Sequence, residues 1–116
     1  MKTEEQDQKA ERQKLADLAN DLPRQFSLIL TKEFKEQLQK IRDDGSKPHL
    51  IWQVKAAIIK LAHNPKYPGL NSHIFDSFSR HYGREVWESY VQNRTPGAYR
   101  LFWHYGPGKK DITLVM

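Results

Sequence analysis

The chain has 116 residues, 38% of them hydrophobic, and its 19 Lys/Arg against 14 Asp/Glu give a net charge of +5. That length accommodates one hydrophobic core and leaves no room for a second. The lack of cysteine excludes disulfides, thiolate zinc sites and cysteine nucleophiles, and no apolar run approaches the ~20 residues of a membrane-spanning helix. The N-terminus is charged and carries no secretory signal, so a cytoplasmic protein with no membrane partner is expected.

Charge is unevenly spread. Residues 1–22 hold four Lys/Arg and six Asp/Glu, whereas the rest holds fifteen and eight, a net of +7. A basic body suggests an anionic partner, nucleic acid being the commonest, although a merely basic surface would look the same.

Residues 1–20 are rich in Glu, Gln, Lys and Ala, with Leu15 and Leu18 among few apolar positions. They predict a helix that frays at its start; residues 1–22 could dock on the body or fold against a partner, and a charged, solvated N-terminal arm is the preferred reading. Leu22-Pro23 ends it, because proline disfavours helical geometry in the residue before it. Residues 25–30 (QFSLIL) form a first strand, and Thr31 is placed to cap a helix whose Phe34, Leu38 and Ile41 share one face. Asp43-Asp44-Gly45 stops that helix. A second starts near Pro48 and presents Leu50, Ile51, Val54, Ala57, Ile58 and Leu61. Residues 64–84 then read as a long connector, broken by Asn64-Pro65 and Pro68-Gly69, with a short strand around residues 73–75.

Residues 86–91 and 99–105 are rich in aromatic and β-branched types and flank Pro96-Gly97, which predicts an antiparallel hairpin. Alternation puts Trp87, Ser89 and Val91 on one face with Tyr99, Leu101, Trp103 and Tyr105. The other face collects Glu88, Tyr90, Arg100, Phe102 and His104. A carboxylate, a phenol, a guanidinium and an imidazole together make either a site or a solvated sheet face. Gly106-Pro107-Gly108 turns the chain into a last strand, residues 111–116 (DITLVM). The order is that of an α+β fold with two helices packed on one face of a mostly antiparallel sheet.

The KLAHNPKYPGL segment, the VWESYV and GAYRLFWHY strands, the final DITLVM strand and the order of elements are similar to the RelE/ParE toxin superfamily of bacterial type II toxin–antitoxin systems. The resemblance covers residues 25–116, which suggests a RelE/ParE-like domain over residues 23–116 preceded by the helical extension. It implies a small basic toxin silenced by a cognate antitoxin protein. Such a toxin is either a RelE-like mRNA endoribonuclease that inhibits translation on the ribosome without a metal or cofactor, or a ParE-like inhibitor of DNA gyrase.

Arg100 matches the arginine of the family's "YR" strand, where a guanidinium fork fits the oxygens of a scissile phosphate. RelE-type nucleases carry basic residues on the strand where this chain has Glu88 and Tyr90. Cleavage by a neighbouring ribose hydroxyl needs a proton acceptor and a donor, so Glu88 is the candidate base and His104 or Tyr90 the candidate donor or base. The alternative is that Arg100 and Glu88 form a structural ion pair. Family nucleases also place basic and aromatic residues after the last strand, and the same resemblance therefore allows a catalytically inactive antitoxin-binding module. Lys66, Arg84, Arg94, Lys109 and Lys110 are candidates for tracking a nucleic-acid backbone, and a solvated connector is the alternative. The five histidines lack ligand spacing, so no metal site is expected.

Overall fold

The computed structural model describes residues 3–92 and 99–116. The elements are α1 (Glu4–Asp21), β1 (Ser27–Leu30), α2 (Lys32–Asp43), α3 (Leu50–His63), β2 (His73–Ile74), α4 (Asp76–Tyr82), β3 (Trp87–Tyr90), β4 (Arg100–Tyr105) and β5 (Asp111–Leu114). The fold is α+β with a five-stranded mixed sheet in the order β1-β5-β4-β3-β2. Among the described residues the parallel pair is β1 with β5, aligned Leu28 to Ile112 and Leu30 to Leu114. No helix among the described residues is long and apolar enough to cross a membrane.

Strand parity decides the two faces. On the hairpin, Trp87 pairs with Trp103 and Ser89 with Leu101. Leu101 and Trp103 join Ile112 and Leu114 of β5 in a core with Phe34 of α2 and Leu50, Val54, Ala57 and Leu61 of α3. The expected helical faces of α2 and α3 are therefore the ones that meet the sheet. Thr31 fixes the start of α2: its hydroxyl accepts from the Phe34 amide at 3.1 Å and donates to the Leu114 carbonyl at 3.0 Å. One side chain thus caps a helix and ties it to β5.

A buried polar chain runs through this core. The Trp103 indole donates to the Ser89 hydroxyl at 2.8 Å, which lies 2.7 Å from Ser72, which donates to the Pro65 carbonyl at 2.6 Å. Because Ser72 spends its proton on Pro65, Ser89 donates to Ser72. Ser89→Ala leaves the fully buried indole N–H unpaired and is expected to cost about 1–3 kcal/mol, measurable by urea unfolding.

Three expectations change. First, α1 does not stand free: it lies alongside α3, with Ala19, Leu22, Ile58, Ile59 and Ala62 around a shared cavity of about 110 Å³. Its thin stripe suffices because Leu15, Leu18 and Leu22 need only be half-buried. Second, its start is held by a capping box, in which the Gln6 amide donates to Thr3 Oγ1 at 3.2 Å and the Thr3 amide to Gln6 Oε1 at 3.0 Å. Third, the connector contains α4, which ends at Gly83 in the left-handed conformation (φ 68°) that favours glycine. Phe75 and Phe78 lie 5.2 and 4.7 Å from the Phe102 ring, so α4 covers the sheet face opposite α2 and α3. Helices flank both faces of the sheet. The expected hairpin turn at Pro96-Gly97 lies outside the described residues.

Candidate functional site

The face opposite the main core has a charged centre built on three neighbouring strands. His73 of β2 pairs in register with Glu88 of β3, and Tyr90 of β3 pairs with Arg100 of β4. Glu88 therefore lies between a histidine on one side and an arginine diagonally across on the other. It is only 2% exposed. Arg100 Nη1 donates to both Glu88 oxygens at 3.4 Å, and His73 Nε2 donates to Oε1 at 3.0 Å. A carboxylate removed from water needs such partners, since leaving it unpaired costs several kcal/mol.

Both partners of Glu88 remain open to solvent. The side chains of Arg100 and His73 are 41% and 48% exposed. The Arg100 guanidinium lies 4.8 Å from the centre of the Tyr90 ring, and the same ring meets the His73 imidazole edge-on at 5.9 Å. His73 Nδ1 also donates to the Asn71 carbonyl at 2.7 Å. The result is an outward-facing guanidinium and imidazole, fixed from below by one buried carboxylate and from the side by one aromatic ring.

The residues expected to act together are only partly assembled. Arg100, Glu88 and Tyr90 meet. Glu88, however, is buried and saturated by two donors, an arrangement suited to orienting Arg100 and His73 rather than to taking a proton from a substrate. His104 shares their face but lies four residues further along β4, about 13 Å at the rise of a strand, with Phe102 under α4 in between. His104 Nδ1 donates to the Tyr105 carbonyl at 2.9 Å, which leaves Nε2 as an acceptor 3.5 Å from Arg84 Nη1. Parity placed His104 on the right face and said nothing of distance.

His73 was expected in a short connector strand and as a candidate for tracking phosphates, not as a partner of Glu88. Its signal was a histidine in a short extended segment, and only the β2–β3 register brings it to Glu88. The backbone-tracking candidates also scatter. Lys109 and Lys110 lie in the turn after β4, at the opposite end of that strand from Arg100, and Lys110 Nζ sits 5.0 Å over the Phe26 ring. Arg84 faces His104 at that same end. Lys66 lies in the loop after α3, its amide donating to Asn64 Oδ1 at 2.9 Å. Arg94 lies outside the described residues. Among those residues no group of three His, Cys, Asp or Glu converges to hold a metal ion.

Beside Arg100 opens an apolar groove of about 340 Å³, bounded by Phe34, Leu38 and Ile41 of α2 and by Tyr99, Leu101 and Met116 of the sheet side, with Arg100 and Lys40 also lining it. Lys47 reaches over from the α2–α3 loop and donates to the Tyr99 hydroxyl at 3.0 Å, a bond that holds its ammonium above the usual lysine range. A hydrophobic cleft next to an exposed guanidinium can therefore receive both an apolar and an anionic group. Compared with known proteins, the chain matches no family model, no curated protein and no solved structure.

Proposed function

We propose that this chain is a toxin of the RelE/ParE type, acting in the bacterial cytoplasm as a RelE-like mRNA endoribonuclease that inhibits translation. The observation that carries the reading is the exposed Arg100, held by Glu88 and the Tyr90 ring on the central strand of the sheet. A guanidinium whose position is set before substrate arrives stabilises charge developing on a phosphate without reorganising. Arg100 binds the scissile phosphate, and Glu88 orients Arg100 and His73. His73 is the proton donor within this cluster, and Tyr90 supplies the second proton-transfer group on the same face. The groove beside α2 is the seat of an apolar segment of the cognate antitoxin, which would cover Arg100 at its rim.

A specific observation favours a second reading. Glu88 is occupied and His104 is distant, so of the partners expected for Glu88 in acid–base work only Tyr90 lies beside it. A ParE-like gyrase inhibitor or an inactive antitoxin-binding module requires no such pair.

Induced expression in bacteria separates these readings. Growth arrest with new 5′ ends in transcripts, mapped by primer extension, is the expected result. Arrest with intact transcripts and a DNA-damage response selects gyrase, and normal growth with either kind of nucleic acid intact selects the inactive module.

A further inference from the structure

The end of the sheet remote from Arg100 carries a second, different surface. Tyr105, the last residue of β4, is 45% exposed and lies 6.2 Å from the Phe26 ring and 6.1 Å from Trp87. Phe26 and Trp87 are themselves half-buried. Cations interleave with these rings: Lys110 stands 5.0 Å over Phe26, Lys109 is its exposed neighbour, and Arg84 lines an open hollow of about 380 Å³ with Trp87 and Tyr105.

We propose that Phe26, Trp87 and Tyr105, with Arg84, Lys109 and Lys110, form a platform that binds single-stranded RNA, distinct from the Arg100 site. The exposed Tyr105 ring, seated on Phe26 and Trp87, offers a surface on which a base stacks whatever its sequence, and lysines beside it neutralise the phosphates that follow. The positive charge here is only partly offset. Arg84 leans on the His104 ring rather than on a carboxylate, and the carboxylate of Asp111 accepts from the Gly108 amide within its own turn. Glu85 is the other acid at the hollow. Burial pushes the Tyr105 phenol up from its usual value. An acidic protein helix is the poorer occupant, because helix docking uses an apolar groove for side chains at one-turn spacing, and the groove of that kind lies beside α2.

The platform is separated from Arg100 by the length of β4, about 16 Å at the rise of a strand. Tyr105 also belongs to the face of Trp103, opposite that of Arg100. RNA held there would follow the end of the sheet and enter the Arg100 site from a fixed direction. The inference rests on RNA being the substrate, as proposed above.

Fluorescence anisotropy with a short labelled single-stranded RNA tests it on the full chain, with circular dichroism as the control for folding. Tyr105→Ala is expected to weaken binding roughly 5- to 150-fold, whereas Tyr105→Phe, which keeps the ring, retains affinity. The Lys109→Gln/Lys110→Gln double variant is expected to lower the slope of log affinity against log salt by about 1.4. Folded variants that bind like the wild type overturn the platform. So does displacement of the RNA by polyglutamate at equal charge concentration, which would make an acidic protein the partner. RNA bound through these residues but not cut keeps the platform and removes the nuclease reading. RNA cut with unchanged affinity in both variants does the reverse, and a wild-type chain that binds no RNA removes both.

Discussion

Arg100→Ala is expected to abolish growth arrest and, in the same protein, to lower the melting temperature. The two losses have different causes. Function goes because, among the described residues, Arg100 is the guanidinium fixed at that point of the central strand. Stability falls because Glu88, 2% exposed, is left with His73 as its one charged partner among the described residues. An under-partnered buried acceptor costs about 1–3 kcal/mol, a fall of roughly 5–15 °C in Tm for a domain of this size.

A further pair of variants separates the causes. Arg100→Lys returns a charge to Glu88 without the planar fork, and it is expected to recover stability but not arrest. Arg100→Ala combined with Glu88→Gln removes the unpaired charge and is expected to regain most of the lost Tm while remaining inactive. Calorimetry alongside growth curves reads both quantities. Growth arrest by a folded Arg100→Ala protein would end the assignment of Arg100 to the chemistry.

Trp103→Ala is expected to give the largest loss of stability of any single change discussed here, about 3–5 kcal/mol. Trp103 has no exposed surface, stacks on Trp87 at 5.7 Å with 16° between the rings, and meets Tyr105 edge-on at 5.0 Å. It also donates the hydrogen bond that begins the Ser89–Ser72–Pro65 chain. Domains of this kind have only about 5–15 kcal/mol in total, so such a loss brings the chain near unfolding at growth temperature. Trp103→Phe keeps most of the ring volume and is expected to fall between the two. Urea denaturation followed by far-ultraviolet circular dichroism makes the comparison. A wild-type midpoint for Trp103→Ala would contradict its place at the centre of the core.

Much of the fold was legible because its signals are local. Phe34, Leu38 and Ile41, and Leu50, Val54, Ala57 and Leu61, fall at helical spacing, and these are the faces that pack on the sheet. Thr31 read as a cap and caps. In the hairpin, parity alone put Trp87 on the face of Trp103 and Glu88 on that of Phe102; the register that pairs them directly came from the fold. The helix α4 was missed because seven residues give less than two full turns of period. Its markers were Asp76 in the first turn, Arg80 and His81 in the last, and Gly83 beyond them.

For the candidate site, sequence supplied residue types and faces: Arg100, Glu88, Tyr90 and His104 do lie on one side of the sheet. Which of them touch was decided by tertiary structure. Strand parity repeats every two residues, so it cannot distinguish Arg100, beside Glu88, from His104, about 13 Å away. His73 joined the cluster through strand pairing over fifteen residues of chain, for which no local pattern exists. The burial of Glu88, the docking of α1 along α3 and the parallel pairing of β1 with β5 share that origin. Periodicity and caps are written in neighbouring residues, whereas the burial of a side chain depends on what distant segments lay over it.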